Sequence, residues 1–263
     1  MLVDTHCHLD LNSFDIDREA VLDRALEAGI IKILNPGIDI NSSRKAVTLS
    51  DQNEQVYAAV GIHPNDALTW DSESWNQLQQ LAKHPKVVAI GEIGLDYYRD
   101  YAPRDLQRRI FVEQLSLARD LGLPVVIHNR NATIDILIIL TEWKAELQGA
   151  KSPLADKPGV LHSFSEDLIT ADRVIELGFF IGFTGPVTFR KADMLRQVAA
   201  AVRQERILIE TDAPFLTPQP HRGKRNEPAF VKYVAETVAE LHELSLNDMA
   251  SVLTANAKSL FNW

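Results

Sequence analysis

The chain has 263 residues, of which 46% are hydrophobic and 24% charged, values near the globular average that exclude a disordered or low-complexity protein. A formal net charge of -9 excludes a long electrostatic footprint on duplex nucleic acid, because proteins that neutralise many backbone phosphates are basic. One cysteine, Cys7, excludes an intrachain disulfide and a cysteine-ligated structural zinc, and points to a reducing, cytoplasmic compartment.

Taken in chain order, short apolar runs alternate with longer amphipathic stretches. Strands are predicted over Met1–Thr5, Ile31–Asn35, Val56–Val60, Val87–Ile90, Pro124–Ile127, Gly159–Leu161, Phe179–Gly182 and Ile207–Glu210. Helical periodicity is clearest over Arg104–Leu121 and Ile134–Leu147. Asp167 ahead of residues 168–177, with Gly178 behind them, reads as an N-cap and a C-cap. Gln148–Lys157 is polar, contains a proline and reads as a loop. Pro228–Leu241 and Leu246–Leu260 read as two packed helices. The opening MLVDTHCHLD lacks both a basic leader and an apolar stretch, and no apolar run reaches about 18 residues, so no membrane span is expected. Eight strand-then-helix units predict an α/β fold: a single-domain (β/α)8 TIM-type barrel over residues 1–263 with an extra C-terminal helix. An open doubly wound sheet is the alternative.

Chemistry-bearing residues recur at the strand ends. His6-Cys7-His8 closes the first strand; alternation aims both imidazoles at one point in the barrel mouth and turns Cys7 toward the helices as a small buried thiol. His63 follows the third strand. Glu92, in Gly91-Glu92-Ile93-Gly94, follows the fourth, with glycines that let the backbone turn and approach a ligand. His128 and His162 follow the fifth and sixth, and Glu210 and Asp212 end the eighth. His84 and His242 lie elsewhere and read as solvated. Histidines with carboxylates suit zinc, manganese or iron, and added carboxylates admit magnesium. Six candidate ligands exceed one tetrahedral ion, so the expectation is two divalent ions about 3.5–4 Å apart, bridged by Glu92. A water acidified toward a pKa of about 7 would be the nucleophile, with Asp212 binding metal and orienting or deprotonating it. The stretch Pro218–Asn226 gathers His221, Arg222, Lys224 and Arg225 after the last strand, where barrels often bind phosphate, and reads as a clamp for an anionic substrate.

These residues resemble the TatD family of metal-dependent deoxyribonucleases, a branch of the amidohydrolase-like barrels. The matching segments are Asp4-Thr5-His6-Cys7-His8-Leu9-Asp10, Gly61-Ile62-His63-Pro64, Gly91-Glu92-Ile93-Gly94-Leu95-Asp96-Tyr97-Tyr98, Pro124-Val125-Val126-Ile127-His128, Leu161-His162-Ser163-Phe164, Glu210-Thr211-Asp212-Ala213-Pro214 and Pro220-His221-Arg222-Gly223-Lys224-Arg225-Asn226. The resemblance covers nearly the whole chain. It implies hydrolysis of nucleic-acid phosphodiesters, commonly as a 3′→5′ exonuclease on single-stranded DNA and sometimes also on RNA. It implies His6, His8, Glu92, His128, His162 and Asp212 as metal ligands, His63 and Glu210 as supporting or substrate-side groups, and the Pro-His-Arg-Gly-Lys loop as part of the substrate pocket. Three departures stand out. Asn131 replaces the usual aspartate, an exchange that a helix cap would accept. Ser163 replaces a common cysteine. Gln148–Lys157 is longer than usual and is expected to bear on access to the mouth.

The leading function is therefore a phosphodiesterase that takes a strand end. The same activated water would also serve an amide or ester hydrolase, such as a D-aminoacyl-tRNA deacylase, and the fold does not separate the two. A metal-stabilised binding protein without turnover is the third reading.

Overall fold

The computed structural model describes residues 1–99 and 101–263. Its eight strands are β1 (Leu2–Asp4), β2 (Ile30–Pro36), β3 (Val56–Val60), β4 (Val87–Asp96), β5 (Val125–Arg130), β6 (Gly159–Leu161), β7 (Phe180–Phe183) and β8 (Ile207–Ile209). They form one parallel sheet in sequence order. The returning helices are α1 (Arg18–Glu27), α2 (Ile40–Gln52), α3 (Ser74–Leu81), α4 (Arg104–Leu121), α5 (Thr133–Gly149), α6 (Leu168–Glu176), α7 (Asp193–Ala201) and α8 (Val231–Leu241), and α9 (Leu246–Phe261) follows as the extra C-terminal helix. Parallel order follows from these crossovers, since each helix carries the chain back to the starting edge.

Local chemistry sets the helix ends. Asp39 accepts from the Ser42 amide at 2.7 Å, Asp167 from Thr170 at 2.9 Å and Ser245 from Asp248 at 3.2 Å, each supplying an acceptor that a first helical turn lacks. Gly122 ends α4 at φ +68°, a left-handed turn that costs a residue without Cβ little.

The sheet curls until β1 meets β8. Among the described residues no ladder joins these two; separate bonds close the seam. The Thr5 amide donates to Ile209 O (3.1 Å), Asp212 to His6 O (2.8 Å) and His8 to Ala213 O (2.8 Å). Buried Asp4 reinforces them, accepting the amide (2.9 Å) and hydroxyl (2.6 Å) of Thr211.

Alternation along the strands sorts the core into two layers. Leu2, Ile33, Ala58, Ile127, Ile181 and Ile207 pack outward against the helices. Val3, Leu34, Ala59, Val126, Phe180 and Leu208 fill the barrel. Ala257, Leu260 and Phe261 of α9 join this inner layer and close the floor, with Trp263 packed against it. A buried leucine or phenylalanine contributes about 1.5–3 kcal/mol, so the last helix is structural rather than appended.

Several expectations need correction. β4 does not end at Ile90 but runs to Asp96, with irregular pairing to β5 between Ile90 and Ile93. Its glycines serve this strand contact rather than a ligand: a Cβ on Gly91 would meet Val126 Cβ at 2.7 Å, and one on Gly94, at φ +140°, would run into the His128 carbonyl. Gln148 and Gly149 belong to α5, and the rest of the loop up to Lys157 joins α5 to β6 at the floor end, opposite the mouth. Its length therefore does not bear on access. Asn131 is not the cap of α5, which is Ala132; it sits at φ +54°, where asparagine is among the better-tolerated residues. His84 and His242 are half-buried rather than fully solvated, and His242 Nε2 pairs with Ala199 O at 2.9 Å.

Candidate metal centre

Each side chain of the centre hangs from the carboxyl half of a strand or from the few residues just past it. β1 stops at Asp4 and the chain bends at Thr5. Unbroken alternation would send His6 and His8 outward with Leu2. The bend shifts the phase by one residue, so the two imidazoles meet inside while Cys7 packs in the outer layer. The expected convergence is present, but the bend, not the strand, produces it.

Glu92, inside β4 and 3% exposed, is where the donors meet. Its Oε1 lies 2.8 Å from His162 Nε2, 2.9 Å from His128 Nδ1 and 3.5 Å from His63 Nε2. Its Oε2 lies 3.3 Å from His6 Nε2 and 3.5 Å from His8 Nε2. Asp212, held at φ +55° just past β8, brings Oδ1 to 3.5 Å from His8 Nε2 and 3.8 Å from His6 Nε2. His6, His8 and Asp212 form one set of possible ligand atoms, His6, Glu92 and His162 a second, and His63, Glu92 and His128 a third, each within 4.8 Å. His63 therefore stands among the donors and not only on the substrate side. Its Nδ1 accepts from the Asn65 amide (3.1 Å), which leaves Nε2 to face Glu92. Glu210, fully buried, accepts from the Ser163 amide and lies 3.6 Å from His162 Nδ1, behind the ring. Ser163 Oγ pairs with Thr184 Oγ1 at 3.1 Å.

This donor set fits divalent cations. His6 Nε2 faces His8 Nε2 at 3.2 Å, and His162 Nε2 faces His128 Nδ1 at 3.4 Å. Two ring nitrogens facing each other can share only one proton, and five imidazoles crowd one buried carboxylate. Nitrogen and carboxylate oxygen together are the donors that zinc, manganese and iron take.

The local fields agree. Burial would raise Glu92, but the charges of His162, His63 and His6 and the bond from His128 hold it well below the usual carboxylate range. Burial would also raise Asp212, and the bond from His8 with the charges of His6 and His162 lowers it instead. Burial and His162 pull His6 down, while burial and His128 take His63 to about 4. His8 is raised because Asp212 and Glu92 outweigh its burial. His128 is raised because Asp96 and Glu92 do the same, and His162 stands well above its ordinary value through Glu92 and Glu210. Protons on His8, His128 and His162 must leave before a cation binds. Loading the metal-free chain with zinc near neutral pH should therefore release protons. Affinity should fall as pH drops through the raised range of these imidazoles, by up to about ten-fold per unit for each imidazole that must deprotonate. Calorimetry in buffers of different ionisation enthalpy reads both, and a pH-independent affinity would contradict this ligand set.

Above the centre opens a cavity of about 770 Å³. His8, His63, Glu92, His128, His162 and Asp212 line its base, with Phe215 and Leu216 at its rim. His221, Arg222 and Lys224 are not on its wall. His221 stacks on Phe230 at 4.1 Å and pairs with Tyr233 at 3.0 Å, and Arg222 lies over Phe189 at 4.4 Å. Arg225 is tied to Asp17 at 2.7 Å. The basic groups on the wall are instead Arg99 and Arg130. Sequence reasoning missed them, along with Asp96, Asn65 and Asp4. Asp96 lay inside a quoted motif, and its place at the end of an apolar strand was the available signal.

A family model described as TatD related DNase matches residues 3–262. The chain is 43% identical over 261 residues to the uncharacterized metal-dependent hydrolase YabD of Bacillus subtilis, covering 99% of each. It is 39% identical over 265 residues to the uncharacterized metal-dependent hydrolase YcfH of Escherichia coli, covering 99% of this chain and 96% of the relative. The crystal structure of YJJV, a TatD homolog from Escherichia coli, superposes with a TM-score of 0.91 at 34% identity, covering 100% of this chain and 98% of the other.

Proposed function

Because the chain belongs to the TatD family of metal-dependent hydrolases, we propose that it cleaves nucleic-acid phosphodiester bonds, removing nucleotides from the 3′ end of single-stranded DNA, with two divalent cations at its centre. The observation that carries this reading is the position of Glu92, shared between two of the three ligand sets at the base of a cavity whose floor is packed shut. Seven donors, one of them the shared carboxylate of Glu92, exceed the needs of a single tetrahedral ion. The family description, TatD related DNase, supports the substrate class. An acidic chain with a deep mouth suits a strand end better than a duplex groove.

His6, His8, His63, Glu92, His128, His162 and Asp212 would hold the cations. When bound, such ions polarise a phosphoryl oxygen and bring the pKa of water toward about 7. Asp212, ionised at neutral pH, accepts at Oδ1 the proton of the water that attacks phosphorus. The P–O3′ bond breaks, and that proton passes to the leaving oxygen. Glu210 keeps the His162 ring turned toward Glu92. The reading keeps the cytoplasmic location, supported by the lone buried thiol of Cys7. No helix among the described residues is long and apolar enough to cross a membrane.

The test is chelation and restoration. Chelator-treated protein should lose activity on 3′-labelled single-stranded DNA and recover it with zinc, manganese or magnesium. RNA, amides, lactones and aminoacyl-tRNA esters run in parallel. Restored cleavage of esters or amides with none of nucleic acid would replace this reading with the other hydrolase class.

A further inference from the structure

An acidic chain that takes an anionic strand end needs local cations near its mouth, and the basic loop at Pro218–Asn226 is turned aside. The wall formed where β4 and β5 end supplies them. Arg130, the last residue of β5, is half-buried, and its guanidinium lies 3.9 Å over the Tyr98 ring. Arg99 donates to the Tyr101 hydroxyl at 3.0 Å and stands 5.7 Å from that ring. The two tyrosines are 62% and 58% exposed, so each ring keeps a face open to solvent opposite its arginine. Arg99, Tyr101 and Arg130 all line the cavity.

The turn that carries these groups is fixed to the centre by one buried carboxylate. Asp96 Oδ1 accepts the amides of Tyr98 and Arg99, both at 2.9 Å. Asp96 Oδ2 accepts from Asn65 Nδ2 at 3.3 Å and faces His128 Nε2 at 3.4 Å. The spacing between the wall and the ligand histidines is therefore set by covalent geometry and four polar contacts, not by a floating loop.

We propose that Arg99, Arg130, Tyr98 and Tyr101 form the subsite for the nucleotides next to the scissile bond, the arginines neutralising phosphates and the tyrosines stacking bases. Alternating cations and exposed rings is how proteins hold single strands without reading sequence. Stacking on Tyr98 holds the Arg130 guanidinium flat and leaves its edge for a phosphate. The inference rests on the nucleic-acid reading above and adds where the strand lies.

The experiment measures binding of a short 5′-labelled phosphorothioate oligodeoxynucleotide to the metal-loaded chain by anisotropy across a salt series. Arg130→Ala and Tyr98→Ala are each expected to weaken binding by about ten-fold, within the range for loss of one phosphate contact or one stacked base. Arg130→Ala should also flatten the salt slope by about 0.7, the share of one phosphate contact on a single strand. Bound metal, measured on the same samples, should stay at the wild-type level. Wild-type affinity and slope in both variants would overturn the subsite while leaving cleavage by the parent chain intact. Loss of metal in the variants would make them part of the centre and equally overturn it. A parent chain that neither binds nor cuts any oligonucleotide would remove the nucleic-acid reading and the subsite together.

Discussion

Replacing Glu92 by alanine is expected to cut turnover on the order of 10³-fold or more and to lower bound metal from the proposed two ions per chain to one or none. Its two oxygens face opposite halves of the donor cluster, Oε1 toward His128, His162 and His63, Oε2 toward His6 and His8. No neighbouring carboxylate can take over both. Asp212 reaches only His6 and His8, and Glu210 stands behind His162. Removing the negative charge also leaves five clustered imidazoles without the anion that holds them together. Glu92→Gln keeps the shape but turns an amide toward the ring nitrogens, so it should lose metal as well. Elemental analysis of purified protein decides the matter: unchanged stoichiometry in either variant would remove the shared-ligand role.

Asp212→Asn is expected to spare the fold and most of the bound metal while lowering kcat by about 10²–10⁴, the range for loss of a general base. Asparagine tolerates the left-handed backbone at this position, so the main chain need not move. The cluster keeps Glu92 and five histidines. What disappears is an ionised oxygen able to take a proton. Substrate affinity, read with an uncleavable oligonucleotide, should stay near the parent value, so the loss falls on kcat rather than KM. Full turnover in this variant would assign the proton to another group.

The barrel was legible because its strands are buried on both faces and stand out as apolar runs between helical patterns. Val56–Val60 and Gly159–Leu161 begin and end where their composition says they should. The candidate donors were legible because six of the eight runs are followed within a few residues by a histidine or an acid. What the sequence hid are features that depend on a neighbour in space. β4 continues past Ile90 because glycines let it press against β5, and Gly91 and Gly94 signal a close approach without naming the strand that makes it. The phase shift at Thr5 depends on bonds to β8, more than two hundred residues away. The charged loop at Pro218–Asn226 looked like a clamp because its cations are contiguous. Packing against Phe189, Phe230 and Asp17 engages His221, Arg222 and Arg225 there, which composition cannot reveal. Arg130 and Tyr98 come together only when β5 lies alongside the end of β4.

The plug that α9 drives into the bottom of the barrel makes the chamber a cul-de-sac. Among the described residues no rear exit is left, so a hydrolysis product must back out through the doorway that admits the substrate. Departure of product and entry of the next substrate are therefore successive events at the same threshold, and the pace of the cycle is open to control by how fast that threshold clears.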